Sequence, residues 1–317
     1  MEQLFLRGIG HAHPENRITN AFLESLQIGT DEAWIVQRTG IKERRTILPL
    51  PHIENTRNLD LASNLKFIRE GAADMVRRAA QMALQRADIR VQDVGLVLAG
   101  GCTASRLIPS DASTYASLLG IRAPSMDLHA ACSSWIAQAH FLAHLTAYET
   151  ILTINCEVPT AHVSYANRRN CVLVGDGCAV TVWSRGKGSF KVTDTHFESD
   201  PSGSEKVTLN LGQHFDQDGP TVQKFAVTRM AQTFETLRGP YSTFIGHQAN
   251  SRALDSVVDR VSPHQTYQNI ERFGNTFSAG AASVLSEQWE NHTLTDVVLA
   301  AVGSGLAWGG VRCLREH

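Results

Sequence analysis

The amino-acid sequence predicts a fold of the α/β class, and three observations lead to that prediction. Apolar, β-branched runs alternate with helical patterns, the alternation occurs in both parts of the chain, and the composition is that of a folded domain. Of the 317 residues, 43% are apolar and 19% are charged, a balance typical of proteins with a substantial core. Alternating strands and helices are typical of sheets covered by helices.

Four apolar runs predict buried strands, because each is short and rich in Val, Leu or Ile. These runs are residues 94–99, 150–155, 171–174 and 297–302. Residues 71–86 predict an amphipathic helix, since Ala, Met, Val and Leu fall on one face and arginines on the other.

The least regular stretch, residues 185–220, contains GKGS and DPSGSEK and is typical of turns and loops. It divides the chain into predicted halves of residues 1–185 and 186–317. A weak internal repeat supports the division. An apolar run ending at Gly100 precedes a small-residue segment, and an apolar run ending at Gly246 precedes another. The sequence therefore indicates a duplicated α/β unit.

Charge and hydropathy exclude several classes of function. Lys and Arg total 29 against 31 Asp and Glu, so the formal net charge is −2 and no basic field predicts binding to nucleic acid or to an anionic membrane. The N-terminal segment lacks the apolar run of a secretory signal. Residues 297–311 are interrupted by glycines and are too short to span a bilayer. We expect a cytoplasmic protein.

Cysteine and histidine spacing predicts no metal site, because there is no C-x-x-C pair and no H-E-x-x-H pattern. Five of the six cysteines are expected to be small, reduced core residues. Cys132 is the exception, because it lies where an extended segment passes through small residues into a helical pattern. The N-terminus of a helix lowers the pKa of a thiol and favours a nucleophilic thiolate. A core cysteine in a tight turn is the alternative.

Two further polar residues lie where strands end. His247 follows an apolar run in FIGHQANSR, and Asn275 lies in a glycine-bounded turn in RFGNTFSAG. Alone, each could be structural. With Cys132 they form a set that could serve a hydrolase, with His as base and Asn as its orienting partner. The same set could serve a decarboxylating condensation, in which His and Asn stabilise an enolate oxygen.

Six motifs, in order along nearly the whole chain, resemble the β-ketoacyl-acyl-carrier-protein synthase III group of the thiolase superfamily. They are DEAWIVQRTGIKERR at residues 31–45, DLHAACSS around Cys132, VGDGCAV at 174–180, GHQANSR at 246–252, GNT at 274–276 and GSGLAWGG at 303–310. The resemblance implies the thiolase fold, in which two αβαβα halves form a five-layered core. Residues 1–185 would then carry the nucleophile, and residues 186–317 would carry His and Asn.

By that resemblance the protein is a homodimeric acyltransferase with no metal or redox cofactor. An acyl-CoA acylates Cys132, and malonyl carried on acyl carrier protein loses CO₂ and attacks the acyl thioester. His247 and Asn275 fall on the other two catalytic positions.

The resemblance also implies where the substrates bind. Trp34 and Arg38 fall where the family holds the CoA adenine, and Arg168 matches a further basic position there. Lys224 and Arg252 match residues that face the acidic carrier protein. Without the resemblance, these charged residues would be interpreted as solvated surface groups.

Two of the sequence's departures from the family bear on the chemistry and on the substrate. The glycine triplet that contributes to the oxyanion hole is Gly303-Ser304-Gly305 here. The backbone N–H groups of Cys132 and Ser304 would form the hole, if Ser304 can adopt the backbone angles of a glycine. Three positions that are phenylalanine in acetyl-selective members are Ile108, Val174 and Val302, which predicts a roomier acyl pocket and a primer larger than acetyl.

Several alternatives remain open at this stage. An acyltransferase of the same fold would pass the acyl group from Cys132 to an alcohol or amine without decarboxylation. A hydroxymethylglutaryl-CoA synthase or degradative thiolase usually uses a further acidic or thiol group, which the sequence does not mark. A catalytically silent partner subunit would have no need of Cys132, His247 and Asn275. A cysteine hydrolase would need a water-accessible site and no surface for a carrier protein.

Overall fold

The computed structural model describes residues 3–316, and its elements alternate as the sequence predicts. The strands are β1 (Leu4–Ala12), β2 (Asn16–Thr19), β3 (Glu43–Thr46), β4 (Leu96–Ala99), β5 (Ser125–Asp127), β6 (Thr150–Glu157), β7 (Gly177–Arg185), β8 (Phe190–Ser199), β9 (Val207–Thr208), β10 (Asp216–Gln217), β11 (Thr243–Gly246), β12 (Gln265–Thr266), β13 (Asp296–Gly303) and β14 (Ala307–Arg315). The helices are α1 (Asn20–Ser25), α2 (Glu32–Thr39), α3 (Leu50–Thr56), α4 (Leu65–Ala87), α5 (Asp111–Leu119), α6 (Ser134–His144), α7 (Arg168–Cys171), α8 (Gly219–Leu237), α9 (Ser251–Val261), α10 (Ile270–Phe273) and α11 (Gly280–Glu287).

The main sheet repeats one topology twice. Its strand order is β12-β11-β13-β14-β8-β1-β7-β6-β4-β5. In the first half, β5, β4 and β6 are parallel neighbours, and β7 and β1 continue the sheet in antiparallel pairs. In the second half, β12, β11 and β13 are parallel, and β14 and β8 continue in the same way. The duplicated α/β architecture is therefore confirmed, and the boundary predicted after residue 185 lies between β7 and β8.

Helices form three layers around the two halves of the sheet. Helices α4 and α5 pack on the outer face of the first half, where alanines such as Ala79 and Ala83 lie against β1. Helices α6 and α11 lie between the halves and share one apolar core with strands of both. Helices α8 and α9 cover the outer face of the second half. This α-β-α-β-α order is the five-layered thiolase arrangement.

Three of the four predicted strands and the predicted helix are present as β4, β6, β13 and α4. The strand predicted at residues 171–174 is wrong. The side chain of Asn167 accepts a hydrogen bond from the backbone N–H of Arg169 and caps the short helix α7, which ends at Cys171. A continuous apolar run cannot by itself distinguish a buried strand from a buried helix or turn. Within residues 3–316, no helix has both the length and the apolar character needed to cross a membrane.

Candidate active site

Cys132 lies in a tight turn between β5 and α6. Residues 131–133 form a single 3-10 turn that leads directly into the helix. Ala131 has a φ of +48°, an unusual backbone angle for a residue with a side chain. The Ser134 hydroxyl donates to the Ala131 carbonyl at 2.6 Å and accepts from the Ala130 N–H at 2.9 Å. These bonds hold the half-buried Cys132 at the start of α6.

The Cys132 thiol is surrounded by groups that favour its ionised form. Its pKa is lowered from 9.0 to about 5, first by a hydrogen bond from the Cys102 thiol and then by the hydrogen bond and charge of His247, against the opposing effect of burial. The Cys102 and Cys132 sulfur atoms are 3.5 Å apart. Cys132 is therefore a thiolate at neutral pH and a ready nucleophile.

His247 is fixed at the end of β11. Its backbone N–H donates to the Ala300 carbonyl of the neighbouring strand β13 at 2.8 Å. The residue is 4% exposed, and its side chain reaches the Cys132 thiol as a hydrogen-bonding partner. A histidine held by parallel strands on one side and facing a thiolate on the other can donate or accept a proton there.

Asn275 reaches the site from the turn after α10. Its backbone N–H donates to the Leu173 carbonyl at 2.8 Å, and its carbonyl accepts from the Gly175 N–H at 3.1 Å. The side-chain Oδ1 accepts from the Phe277 N–H at 3.0 Å. Because this bond occupies the acceptor end of the amide, the Nδ2 group is the end that can donate to a substrate.

Cys132, His247 and Asn275 line one cavity of about 320 Å³. Val302, Gly303 and Ser304 lie in its wall. Ser304 has no positive φ, so the serine expected to replace a glycine here adopts a backbone angle that suits a residue with a side chain. The Ser304 hydroxyl donates to the Val207 carbonyl at 2.5 Å, which ties this wall of the cavity to β9.

Two arginines accompany Trp34 on the surface near the cavity. Asp31 caps α2 by accepting from the Trp34 N–H at 2.7 Å. The guanidinium carbon of Arg168 is 4.1 Å from the centre of the Trp34 ring, and that of Arg38 is 5.9 Å from it. Arg168 also donates to the Gly29 carbonyl. The three residues predicted to contact CoA are therefore neighbours.

Lys224 and Arg252 lie on the two outer helices of the second half. Lys224 is exposed on α8 between Gln223 and Phe225, both of which line the cavity. Arg252 is the second residue of α9 and donates through Nε to the Gln37 carbonyl of α2 at 3.1 Å. Its guanidinium is also 3.8 Å from Asp255. Lys224 thus lies next to residues that line the cavity, and Arg252 contacts α2.

The three predicted acyl-pocket residues occupy different environments. Val302 lines the cavity. Val174 is buried and forms an isolated parallel bridge with Asn275, so it supports the site from behind. Ile108 is 85% exposed and does not line the cavity of its own chain. The structure therefore brings together two of the three positions.

Two residues of this region were not predicted from the sequence as functional. Cys102 was expected to be a core residue like Cys156, but it is half-buried and touches the nucleophile. Glu157 is fully buried at the end of β6 and accepts hydrogen bonds from the Cys102 N–H at 3.0 Å and the Thr103 hydroxyl at 2.7 Å. Burial raises its pKa to about 7. Neither residue lies in a recognisable motif, and only the position of Cys102 after two glycines at a strand end could have indicated its role.

The fold and these contacts define an acyl-transferring enzyme of the thiolase type, in which a cysteine lies in one cavity with a histidine and an asparagine. Within residues 3–316, no group of three or more His, Cys, Asp or Glu side chains could hold a metal ion. Comparison with known proteins makes the class more specific.

Two family models match the chain. The model for 3-oxoacyl-[acyl-carrier-protein] synthase III matches residues 126–201, and the model for its C-terminal part matches residues 240–313. The β-ketoacyl-[acyl-carrier-protein] synthase III of Oceanobacillus iheyensis is 31% identical over 321 residues, covering 96% of both chains. The enzyme of the same name from Symbiobacterium thermophilum is 31% identical over 340 residues, again with 96% of both chains covered.

Solved structures agree with this result. The 3-oxoacyl-[acyl-carrier-protein] synthase III of Aquifex aeolicus superposes with a TM-score of 0.83 at 25% identity, covering 98% of this chain and 99% of that one. The priming β-ketosynthase of the R1128 polyketide pathway shares the fold, with a TM-score of 0.85 at 22% identity, covering 99% of this chain and 97% of that one. The chain belongs to the β-ketoacyl-[acyl-carrier-protein] synthase III family and is a condensing enzyme of the acyltransferase class.

Proposed function

We propose that this protein starts carbon-chain synthesis. It transfers an acyl group from acyl-CoA to Cys132 and joins that group to malonyl-acyl carrier protein with loss of CO₂. The observation that carries the proposal is the convergence of Cys132, His247 and Asn275 on one cavity. The three residues come from both halves of a duplicated chain, and their chemistry matches the two steps of such a condensation.

In the first step the Cys132 thiolate attacks the thioester carbonyl of acyl-CoA, the carbon–sulfur bond to CoA breaks, and CoA leaves as a thiolate that takes up a proton. The backbone N–H groups of Cys132 and Ser304 are our candidates for stabilising the oxyanion that forms. The lowered pKa of Cys132 supports this step, because the thiolate is already present at neutral pH.

In the second step the malonyl thioester loses CO₂, and the enolate left behind attacks the acyl carbonyl on Cys132. A carbon–carbon bond forms, the carbon–sulfur bond to Cys132 breaks, and the Cys132 thiolate is restored. We assign the stabilisation of the enolate oxygen to hydrogen bonds from His247 and from Nδ2 of Asn275. Oδ1 of Asn275 accepts a hydrogen bond from the Phe277 N–H. This bond supports the assignment, because it directs the oxygen of the amide at the backbone and leaves Nδ2 as the end that donates to the substrate. This chemistry needs only side chains, backbone N–H groups and the two substrates, with no cofactor.

We assign the entrance of the cavity to the carriers of the substrates. Trp34 and Arg38, with Arg168, offer an aromatic face and guanidinium groups to an adenine nucleotide. Lys224 and Arg252 offer positive charge to an acidic carrier protein.

We further propose a primer larger than acetyl. Val302 in the cavity wall leaves volume that a phenylalanine would fill. A second cavity of about 220 Å³ begins beside the nucleophile, because Cys102 lines it together with Tyr115 and Ile154. An acyl chain on Cys132 could extend toward this space.

We also propose that two copies of the chain pair along the outer edge of β5. That edge of the ten-stranded sheet has no neighbouring strand within residues 3–316. Met126 of β5 is 48% exposed, and the nearby Leu107 and Ile108 are 75% and 85% exposed. A free strand edge beside apolar side chains favours pairing with another copy. Sedimentation of wild type and of Met126→Asp would test this, since only the wild type should be dimeric.

The function is tested by intact-mass measurement with a panel of acyl-CoA thioesters. Wild type should gain one acyl group and Cys132→Ala none, with medium-chain or aryl groups transferred faster than acetyl. A Cys132→Ala variant that acylates as well as wild type would remove Cys132 as nucleophile, and a clear preference for acetyl would contradict the proposed primer.

The second step is tested with His247→Ala. This variant should still acquire the acyl group but should not decarboxylate malonyl-acyl carrier protein. Product mass separates condensation from simple acyl transfer, because condensation gives a β-keto thioester and transfer to an alcohol or amine gives an ester or amide. Formation of an ester or amide would contradict the proposal.

A further inference from the structure

The proposed condensation uses one cysteine, yet the site contains two in contact. The Cys102 sulfur lies 3.5 Å from the sulfur of Cys132, although 30 residues separate them in the sequence. Cys102 follows β4 and Cys132 follows β5, and these strands are parallel neighbours. Their carboxyl ends therefore bring the two thiols to the same edge of the sheet.

The backbone around Cys102 is anchored, so the contact between the thiols is a fixed feature of the site. The Cys102 N–H donates to both carboxyl oxygens of the buried Glu157 at 3.0 Å. The next residue, Thr103, donates to the same carboxyl group at 2.7 Å. Gly101 has a φ of +156°, and a Cβ atom there would lie 2.6 Å from Glu157 Oε1. The loop thus depends on a glycine and on a buried acid.

A disulfide would require the two sulfur atoms to approach from 3.5 Å to about 2.05 Å. The sulfur atoms therefore need to move about 1.5 Å closer. Two other cysteines pair elsewhere, because Cys156 hydrogen-bonds to Cys178 across the neighbouring strands β6 and β7. Cys313 is fully buried in β14, where burial raises its pKa to about 12.

We propose that Cys102 is a resolving thiol, which forms a reversible disulfide with Cys132 when the protein meets hydrogen peroxide and so blocks acylation. The disulfide itself needs only the two thiols, whereas its effect on acylation rests on the proposed function. The oxidant is a peroxide small enough to enter the cavity that Cys132 lines.

The reaction balances in two steps. The Cys132 thiolate attacks one peroxide oxygen, a sulfur–oxygen bond forms, the oxygen–oxygen bond breaks, and the other oxygen leaves as water after taking up a proton. Cys132 is now a sulfenic acid. The Cys102 sulfur then attacks the Cys132 sulfur, the sulfur–sulfur bond forms, the sulfur–oxygen bond breaks, and a second water leaves with the Cys102 proton. Two thiols are oxidised and one peroxide is reduced to two waters.

The electrostatics of the pair suit these two roles. The low pKa of Cys132 makes it the thiol that meets the oxidant first. The pKa of Cys102 is raised well above its usual value, first by its hydrogen bond to Cys132 and then by burial and by Glu157. Cys102 therefore stays a thiol beside the Cys132 thiolate.

The test uses the purified full-length chain, reduced and then treated with hydrogen peroxide in small excess. Wild type should lose the mass of two hydrogens, peptide mapping should link Cys102 to Cys132, and acylation should fall in proportion to the linked fraction. Dithiothreitol should restore both the mass and the activity. The proposal is overturned if Cys132 is oxidised to sulfenic or sulfinic acid without a linked peptide, or if the linked peptides join another pair.

Variants separate a resolving role from a structural one. In Cys102→Ser, peroxide should drive Cys132 to sulfinic acid, and dithiothreitol should no longer restore acylation. Cys313→Ser removes a thiol that contacts neither partner and should behave like wild type. If Cys102→Ser does not fold, the mapped disulfide of the wild type decides the question. A wild type that forms the disulfide but accepts no acyl-CoA would refute the proposed function and the block of acylation, while the disulfide between Cys102 and Cys132 would stand.

Discussion

Replacing Gly303 by alanine should impair the nucleophile without touching a catalytic side chain. Gly303 ends β13 and packs directly against the turn that carries Cys132. A Cβ atom at this position would lie 2.9 Å from the Ala130 carbonyl oxygen, 2.9 Å from the Ser133 nitrogen and 2.9 Å from the Ser133 hydroxyl oxygen. The φ of Gly303 lies outside the positive range, so the cost of the added methyl group is purely steric.

The geometry sets the size of the effect. Ordinary contact begins at 3.4 Å, so the strand and the turn must separate by about 0.5 Å at three atoms. Overpacking of this kind destabilises a protein by about 1–3 kcal/mol. Cys132 lies between Ala130 and Ser133 and must move with them. Because a displacement of about 1 Å can cost about 100-fold in rate, we expect Gly303→Ala to slow acylation by about 10- to 100-fold.

The assay is single-turnover acylation followed by intact mass, together with thermal unfolding to show that the variant is folded. Gly95→Ala is the matched control, since its Cβ atom would meet only the Thr150 carbonyl at 3.4 Å and the Tyr148 ring at 3.8 Å. That variant should acylate like wild type. A folded Gly303→Ala protein that also acylates at the wild-type rate would refute the claim that this close approach positions Cys132.

Four further outcomes are expected. Asn275→Ala should acylate normally but lose decarboxylation of malonyl-acyl carrier protein, as measured by release of CO₂. Trp34→Ala should raise the KM for acyl-CoA by about 2- to 30-fold with little change in kcat, because stacking of this kind contributes about 0.5–2 kcal/mol. Alkylation of Cys132 by iodoacetamide should be constant above about pH 6 and fall as pH drops through its pKa of about 5. Burial raises the pKa of Glu157 from 4.5 to about 7, so the folded state holds this proton more tightly than the unfolded chain and wild-type stability falls as pH rises between those values. The side chain at position 157 cannot titrate in Glu157→Gln. Urea unfolding at several pH values should therefore show that the free energy of unfolding of the variant rises relative to that of wild type, by up to about 3 kcal/mol across that interval.

Local sequence patterns were enough to predict most of the fold. Strands β4, β6 and β13 are short apolar runs, and α4 is amphipathic over its whole length, so each shows the periodicity of its own structure. The segment at residues 171–174 was mispredicted because burial alone produced its apolar character. The convergence of Cys132, His247 and Asn275 on one cavity could be predicted because each lies in a motif that continues on both sides.

Contacts between distant segments could not be predicted in the same way. The 3.5 Å approach of Cys102 to Cys132 depends on the register between β4 and β5, which no short pattern encodes. Glu157 resembles any acidic residue at the end of a strand until its burial and its hydrogen bonds are known. The exposure of Ile108 likewise depends on where the loop before α5 runs, and the sequence contains no periodic signal for that path.

The duplication of the fold explains why these groups meet. Parallel strands direct their carboxyl ends to one edge of a sheet, which is where α/β proteins place their sites. In the first half, β4, β5 and β6 lead to Cys102, Cys132 and Glu157. In the second half, the corresponding strands β11, β12 and β13 lead to His247, Asn275 and Ser304. Cys102 therefore occupies the position in its half that His247 occupies in the other. Because both positions face Cys132, comparing the two halves strand by strand identifies Cys102 as a site residue even though its sequence context does not.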